Sequence, residues 1–333
     1  MNEFLKQTKY LNNAQKKALE KEIANLNWQN QNLLKNQITL LDQAMQTYNN
    51  IQTIDTNNIN YSQADLDLKQ AYDKALNNQK QTLNKTTGNN LDLNQVNQAI
   101  NELKNAINNL NGNVKVNKQK ELIKNKINQE YQALTNKQKD KALETIIKTD
   151  NLEILKQLDI DYQNINNLMK ELRNNLQNNS SIIIDNNYYD ATKNIKDSYD
   201  QMIISSKKLF DQLHTINDNL LNESILKSNN EKFRNVLNKL DGKVNLELSK
   251  NNANSVIDKL ENYSNEEKIT YKKQIKNAQN IQQVNSILNQ LLNSKKNNKY
   301  KDILLLIILI TASILTIGLV YFAWLLVKRF NNK

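Results

Sequence analysis

The chain has 333 residues and a net charge of +11, and it contains no cysteine, no proline, four glycines and one histidine. Without cysteine it has no disulfides and no thiolate metal ligands. The solitary His214 provides neither a metal site nor a catalytic dyad, and no glycine-rich phosphate-binding loop is present. We therefore expect no enzyme activity, no cofactor and no small-molecule substrate.

The positive charge is spread along the chain instead of being gathered in one patch. Such charge favours anionic surfaces such as nucleic acid, sulfated glycans or lipid headgroups, or it is simply solvated helix surface in which lysine outnumbers acid. The tyrosines recur at helix-core spacing and not beside basic clusters, which argues against stacking of single-stranded nucleic acid. We expect no specific nucleic-acid partner.

The N-terminal segment, MNEFLKQTKYLNN, lacks the apolar region of a signal peptide. Two interpretations stay open. The chain is anchored by its tail with its bulk in the cytoplasm, or it is the C-terminal part of a longer, exported surface protein.

From Tyr10 onward apolar residues recur at steps of three and four, which predicts helices. The first helix begins at Asn12, and Gln15 three positions on completes a capping-box pattern. The pattern returns in two further pairs, Thr135 with Gln138 and Ser264 with Glu267. Three copies of one helix start, at intervals of 123 and 129 residues, indicate duplication.

A second repeated pattern alternates with the first, and its two copies lie 127 residues apart. The aligned residues are Tyr61, Lys69, Tyr72 and Asp73 in one copy and Tyr188, Lys196, Tyr199 and Asp200 in the other. Within the first copy, Asp92 and Gln95 predict another capping box. An apolar stripe that includes Leu103 follows, which predicts a helix with one buried face.

Each copy closes on a glycine, Gly112 or Gly242, directly after the last periodic residues. This position predicts a helix C-terminus with glycine in the left-handed conformation. Val114 and Val244, two residues later, are expected to pack back on these helix ends. Trp28 is expected to lie in a module core or joint.

These patterns predict an all-α fold, a tandem array of small three-helix-bundle modules forming an elongated rod, plus one C-terminal transmembrane helix. The modules alternate between the two repeated patterns. The predicted boundaries are 1–60, 61–112, 113–187, 188–242 and 243–302, followed by a transmembrane helix at 303–327 and a short basic tail at 328–333.

Residues 303–327 contain no charged side chain, and a helix of that length is long enough to cross a bilayer. A buried core helix is the alternative, but this stretch has no polar face. We therefore predict the lipid bilayer as a partner. The span is marked by Ile303, Gly318, Trp324 and Val327, and its basic flanks are Lys299, Lys301, Lys328 and Arg329.

The segments KQAYDKA, LNKTTG and AINNLNG make residues 61–112 resemble a FIVAR repeat. Residues 188–242 resemble a degenerate copy that keeps IKDSYDQMI and LNKLDG. The segments YLNNAQKKALEKEI and LTNKQKDKALETII resemble the GA-related module that alternates with FIVAR repeats, and residues 263–292 resemble a shortened third copy.

Such arrays occur in matrix-binding surface proteins of staphylococci and in surface proteins of mycoplasmas. The resemblance implies three-helix modules that serve adhesion or envelope integrity, with host extracellular-matrix or serum proteins as partners. It also implies a single-pass protein of the cell membrane, with extracellular modules and a cytoplasmic C-terminus.

The competing hypothesis is a cytoplasmic, tail-anchored helical scaffold or tether. A pore is disfavoured, because a single span without ionisable residues provides no polar pathway.

Overall fold

The computed structural model describes residues 1–25, 27–215 and 219–294, and the regular structure within them is helical. The α-helices are α1 (Asn2–Lys6), α2 (Asn13–Ala24), α3 (Gln31–Asn49), α4 (Ile59–Ser62), α5 (Leu66–Leu83), α6 (Leu93–Asn109), α7 (Gly112–Gln129), α8 (Asn136–Lys148), α9 (Leu152–Gln177), α10 (Asn179–Ile182), α11 (Asn186–Tyr189), α12 (Lys193–Gln212), α13 (Glu223–Leu237), α14 (Gly242–Asp258), α15 (Asn265–Asn277) and α16 (Ile281–Ser294). A short 3-10 helix, Trp28–Asn30, precedes α3.

The chain divides into two compact units. The first consists of Met1–Gln132 and Lys139–Gln163, and the second consists of Ala133–Gln138 and the described part of Asn164–Lys333.

In the first unit, α3, α5 and α6 pack pairwise around one core. Ile38 and Tyr48 of α3 are buried there with Tyr72 of α5 and with Val96 and Leu103 of α6. Apolar residues three, four or seven positions apart lie on one face of a helix, so each helix buries one stripe and leaves its polar residues in solvent. Removing these stripes from water is the main term that stabilises the bundle.

In the second unit, α14, α15 and α16 also pack pairwise, and Ile257, Ile275 and Leu288 lie in their common core. Helices α12 and α13 pack together around Tyr199 and Phe233. The expectation of an all-α chain built from small helical bundles is therefore confirmed.

The expected fold class, however, also included a transmembrane helix, and this part is corrected. None of the helices from α1 to α16 is long and apolar enough to cross a membrane. The physical reason is the amphipathic pattern just described, since each long helix keeps a polar face. The predicted span at 303–327 and its flanking residues Lys299, Lys301, Lys328 and Arg329 lie outside the described residues.

The four predicted capping boxes are confirmed. At the start of α2, the Asn12 side chain accepts from the Gln15 backbone N–H at 2.9 Å, and the Gln15 side chain accepts from the Asn12 N–H at 3.1 Å. The equivalent reciprocal pairs are Asp92 with Gln95, Thr135 with Gln138 and Ser264 with Glu267. Each box satisfies backbone donors that a helix N-terminus cannot pair internally.

The predicted conformation of the closing glycines is wrong. No described glycine has a positive φ, and Gly112 and Gly242 are the first residues of α7 and α14 instead of left-handed residues after a helix. Val114 and Val244 do not pack back either, because both are exposed. Glycine is required here for a close backbone approach, as described below.

Candidate functional site

The recurring tyrosines of the first copy hold the short helix α4 against α5. The rings of Tyr61 and Tyr72 meet edge to face, with centroids 5.6 Å apart, a favourable arrangement of two aromatic quadrupoles. The Tyr61 hydroxyl lies 3.0 and 2.9 Å from the two carboxylate oxygens of Asp73. Lys69 Nζ donates to the Ser62 carbonyl and lies 5.8 Å from the Tyr61 ring centroid.

The second copy reproduces this cluster between α11 and α12. The rings of Tyr188 and Tyr199 are 5.4 Å apart, and the Tyr188 hydroxyl lies 2.9 Å from Asp200 Oδ1. Lys196 Nζ donates to the Tyr189 carbonyl and lies 5.7 Å from the Tyr188 ring.

The surroundings of Tyr61, Tyr188 and Tyr199 raise the pKa of each of these phenols. The hydrogen bond to Asp73 is the main cause that raises the pKa of Tyr61, whereas burial is the main cause for Tyr188. Burial raises the pKa of Tyr199 to about 12. These phenols stay protonated at neutral pH, so the clusters provide hydrogen bonds and packing and no nucleophile.

Gly112 and Gly242 lie where two backbones touch. A Cβ at Gly112 would lie 2.2 Å from the Ile59 carbonyl oxygen, and one at Gly242 would lie 2.1 Å from the Asn186 oxygen. These contacts seat α4 against the start of α7, and α11 against the start of α14, so each copy is closed by a backbone contact that only glycine permits.

The capping boxes of α2 and α8 also connect the repeated modules. Asn12 Nδ2 donates to the carbonyls of Thr82 and Asn89, each at 2.9 Å, and Gln15 Nε2 donates to the Leu91 carbonyl at 2.9 Å. These acceptors lie at the end of α5 and in the loop before α6.

The box at α8 makes the same kind of connection within the second unit. Thr135 Oγ1 donates to the Leu213 carbonyl at 2.6 Å, and Gln138 Nε2 donates to the Leu220 carbonyl at 2.8 Å. All four box residues, Asn12, Gln15, Thr135 and Gln138, are buried.

A second connection, which the sequence analysis missed, runs from each tyrosine cluster to a later helix. Gln63 Oε1 accepts from the Leu152 N–H at the start of α9, at 2.9 Å. At the aligned position, 127 residues on, the Asp190 carboxylate accepts from the Ile281 N–H at the start of α16, at 3.1 and 3.2 Å. Because glutamine and aspartate differ in charge, the alignment alone gave no signal for this shared role.

Three large apolar side chains are exposed on α3 and on the 3-10 turn before it. We call Trp28, Leu33 and Leu40 the α3 ridge; their exposed fractions are 75%, 61% and 45%. Leu33 and Leu40 are seven residues apart and therefore on one helix face. The expectation of a core position for Trp28 is wrong, because its side chain is exposed; the residue lies at a helix joint, in the 3-10 turn between α2 and α3.

The remaining tyrosines and the leucine singled out in the sequence are buried or half-buried, whereas the histidine is exposed. Tyr72, Leu103 and Tyr199 are fully buried, and Tyr61 and Tyr188 are half-buried. His214 is exposed just after α12, with Nδ1 2.8 Å from the Phe210 carbonyl oxygen. In the described part of the chain, no three His, Cys, Asp or Glu side chains lie together as metal ligands would.

The family models agree with this architecture. A FIVAR domain matches residues 37–111, which includes most of α3 together with α5 and α6, and a GA module matches residues 243–293, which includes α14, α15 and α16. Fold and sequence thus define a protein that carries FIVAR and GA modules.

Among known proteins, the chain is homologous to the staphylococcal matrix-binding protein Ebh. Extracellular matrix-binding protein ebh of Staphylococcus aureus strain USA300 is 31% identical over 230 residues, which are 68% of this chain and 2% of that protein. Extracellular matrix-binding protein EbhA of strain N315 is 31% identical over 230 residues, 3% of its length. The chain therefore spans only a small part of the curated relatives that it matches.

The fold comparison points the same way. The crystal structure of the 756–1003 domain of EbhA from Staphylococcus aureus has a TM-score of 0.56 with this chain at 20% sequence identity. The match covers 75% of this chain and 98% of that structure. At this level of identity the likeness concerns the fold.

Proposed function

We propose that this chain is part of a bacterial cell-surface protein whose helical modules lie outside the cell and bind components of a host extracellular matrix. The observation that carries the proposal is the homology to proteins named for matrix binding, which extends over 68% of the chain. The FIVAR and GA matches support the same class of protein.

The arrangement of buried and exposed residues suits a binding scaffold. The recurring residues hold the helices together inside the modules. They do so through the tyrosine clusters, the glycine contacts and the buried capping boxes. The exposed side chains are consequently free to differ between modules. Binding energy in protein interfaces is concentrated in a few large side chains, among which tryptophan is enriched.

The α3 ridge is the contact surface that we propose, and of its three residues Leu40 lies within the FIVAR match. Trp28 is 75% exposed and Leu33 is 61% exposed, so both present apolar area without help from a conformational change. Burial of exposed apolar area favours association.

Binding of the full-length chain to plates coated with a basement-membrane matrix extract tests the proposal, with albumin- and immunoglobulin-coated plates alongside. We expect saturable binding to the matrix extract. The double change Trp28→Ala and Leu33→Ala should weaken it about tenfold or more, since about 1.4 kcal/mol corresponds to a factor of ten.

Leu66→Ala is the matched control, because Leu66 is 70% exposed on α5, which packs with α3. It should bind like the parent chain. Absence of binding to the matrix extract would refute the proposed function. An equal loss of binding in the Leu66→Ala control would show that the α3 ridge is not the contact surface. Protease treatment of intact cells adds an independent measurement, because modules outside the cell are digested and modules inside are protected.

A further inference from the structure

A basic cleft lies between α14 and α15, two helices of the GA match. We call it the α14–α15 cleft; its volume is about 420 Å³. The residues that line it are Glu247, Lys250, Asn251 and Asn254 on α14 and Lys272, Lys273 and Lys276 on α15. Residues three, four or seven positions apart lie on one face of a helix, so each of the two helices presents one polar face to the cleft.

The α14–α15 cleft carries an excess of positive charge. Four lysines and one glutamate line it, which gives these residues a net charge of +3. Lys272 forms an ion pair with Asp258. Lys273 and Lys276 are exposed, and neither takes part in an ion pair within the described residues. Two ammonium groups of α15 are therefore available to an anionic ligand.

The α14 side of the cleft is more enclosed. The Lys250 side chain is only 15% exposed, and its Nζ lies 3.2 Å from Glu247 Oε1. Asn254 Oδ1 is buried and has no hydrogen-bond partner in the part of the chain that the structure describes. Such an oxygen is unusual, because the loss of its hydration is not compensated. A hydroxyl group of a ligand in the cleft would supply the donor that this oxygen lacks.

The lysines of the cleft distinguish α15 from the aligned helices α2 and α8. Its three cleft residues are all lysine, whereas the aligned positions hold one lysine in α2 and none in α8. In chain order these residues are Glu20, Lys21 and Ala24 in α2 and Leu143, Glu144 and Ile147 in α8. Ile146 and Ile275, which are buried at equivalent positions, are the same residue. The core position is thus shared, while the charge of the cleft is specific to the third copy.

The arrangement of charges suits a chain with repeated anionic groups better than one small anion. Lys272 and Lys276 are four residues apart on α15, about 6 Å along the helix axis, and Lys250 lines the cleft from α14. Lysine provides a point charge without the flat, two-pronged donor by which arginine binds phosphate. The described residues that line the cleft include no aromatic ring on which a nucleic-acid base could stack.

We propose that the α14–α15 cleft binds a sulfated polysaccharide. The lysine ammonium groups bind the sulfates, and Asn254 Oδ1 accepts a hydrogen bond from a sugar hydroxyl. This inference rests on the proposed function, because sulfated polysaccharides are components of extracellular matrix, and it adds the chemical class of one partner. The surface involved is separate in sequence from the α3 ridge.

Binding of the full-length chain to immobilised heparin tests the inference. We expect saturable binding that weakens as the NaCl concentration rises, because salt screens exposed charges. The double change Lys273→Gln and Lys276→Gln should weaken binding about tenfold, since it removes two charge-assisted contacts to sulfate. Both side chains are exposed, so circular dichroism should show unchanged helix content.

The matched control is Lys104→Gln with Lys118→Gln. These lysines are exposed on α6 and α7, so the control removes the same charge outside the cleft. It should bind heparin like the parent chain. Glu247→Gln acts in the opposite direction, because it removes the acid that lines the cleft and releases Lys250 from its ion pair. It should tighten heparin binding about threefold, the value expected for one exposed ion pair, and a loss of folding could not produce such a gain.

The inference is overturned if the cleft variant and the control lose heparin binding equally, because net charge alone would then account for it. Equal binding of desulfated heparin would overturn it as well. A DNA duplex that binds more tightly than heparin, and that responds to the same changes in the cleft, would also overturn it, since the partner would then be a nucleic acid.

Two further results separate this inference from the proposed function. A chain that binds the matrix extract but not heparin would overturn the inference alone. A chain that binds heparin through the cleft but does not bind the extract would support the inference and refute the proposed function. The α3 ridge variant, Trp28→Ala with Leu33→Ala, should bind heparin as the parent chain does, and a tenfold loss there would contradict the assignment to the cleft.

Discussion

The first FIVAR module and the aligned copy at residues 188–242 share their close backbone contacts and their tyrosine pairs, but they differ in the residues that form their polar links. In both, a glycine begins the next long helix against a carbonyl oxygen, and a tyrosine pair meets edge to face. The residues that link the modules to α9 and α16 are Gln63 in one and Asp190 in the other. The close backbone contact therefore requires glycine at one position in both copies. The hydrogen bond requires only a side chain that can accept from a backbone N–H, so its residue type can differ.

The hydrogen bonds between the residue before α5 or α12 and the residue before the closing glycine illustrate this difference. In the first, the Asp65 N–H donates to Asn111 Oδ1 at 3.0 Å, and Asn111 Nδ2 donates to Asp65 Oδ2 at 2.6 Å. In the second copy the carboxylate belongs to the residue before the closing glycine. There Asp241 accepts from the Thr192 N–H at 2.8 Å and from the Thr192 hydroxyl at 2.6 Å. The geometry survives because donors and acceptors were exchanged together.

The largest expected effects come from the aligned core positions Leu103 and Phe233. Both are almost completely buried, and Phe233 also meets Tyr199 edge to face at 5.9 Å. We expect Leu103→Ala to lower the free energy of unfolding by about 2–5 kcal/mol and Phe233→Ala by about 3–5 kcal/mol, since each leaves a cavity. Denaturant unfolding followed by circular dichroism measures both.

Phe233→Leu places the residue of the first copy in the second and removes less volume. It should cost clearly less than Phe233→Ala. An equal cost would show that the two cores are not equivalent and would weaken the comparison between the copies.

The next largest effects are expected for Gly112→Ala and Gly242→Ala. An added Cβ would come within 2.2 and 2.1 Å of a backbone oxygen, which cannot move without displacing α4 or α11. We expect each change to cost about 1–3 kcal/mol, the usual range for overpacking. Thermal unfolding measures the loss, and Val114→Ala on the exposed surface of α7 is the control. A glycine-to-alanine variant as stable as the parent chain would show that the close backbone contact does not require glycine.

The smallest effect is expected for Asp190→Asn, which makes this position neutral like Gln63. Burial is the main cause that raises the pKa of Asp190, while the Ile281 N–H and the Lys196 charge oppose it. A raised pKa means that the folded state holds the proton more tightly, so this contribution to stability is present at low pH and is lost as the pH rises through the folded pKa.

Asp190→Asn should therefore be as stable as the parent chain or slightly more stable at pH 7, within about 1 kcal/mol, the net value of one hydrogen bond. The advantage should diminish below the ordinary pKa of Asp. Unfolding free energies measured from pH 3 to pH 7 test the sign, and a variant that is less stable at pH 7 and recovers in acid contradicts it.

The sequence predicted much of the local structure because the decisive interactions join residues three or four positions apart. The capping box at Asn12 and Gln15 and the apolar stripe around Leu103 are of this kind. The repeat spacing also indicated correctly that Tyr61 and Tyr188 have equivalent surroundings.

The sequence did not reveal contacts between distant segments. Gly112 was assigned a left-handed conformation because a glycine at a helix end is usually explained that way, whereas the deciding neighbour is Ile59, far back in the chain. The hydrogen bonds from Gln15 to Leu91 and from Gln63 to Leu152 span 76 and 89 positions, so no local pattern shows them. Trp28 stands at a helix junction, which predicts a module-core or joint position, yet its side chain is exposed.

The buried side chains of Asn12 and Gln15 have a mechanical consequence for a chain under tension. Pulling on the chain cannot unravel α2 and the α5–α6 loop separately while three side-chain hydrogen bonds connect them. Because all three bonds join the start of α2 to the end of α5 and the loop that follows it, separating these segments breaks all of them, and we expect resistance to stretching at this connection.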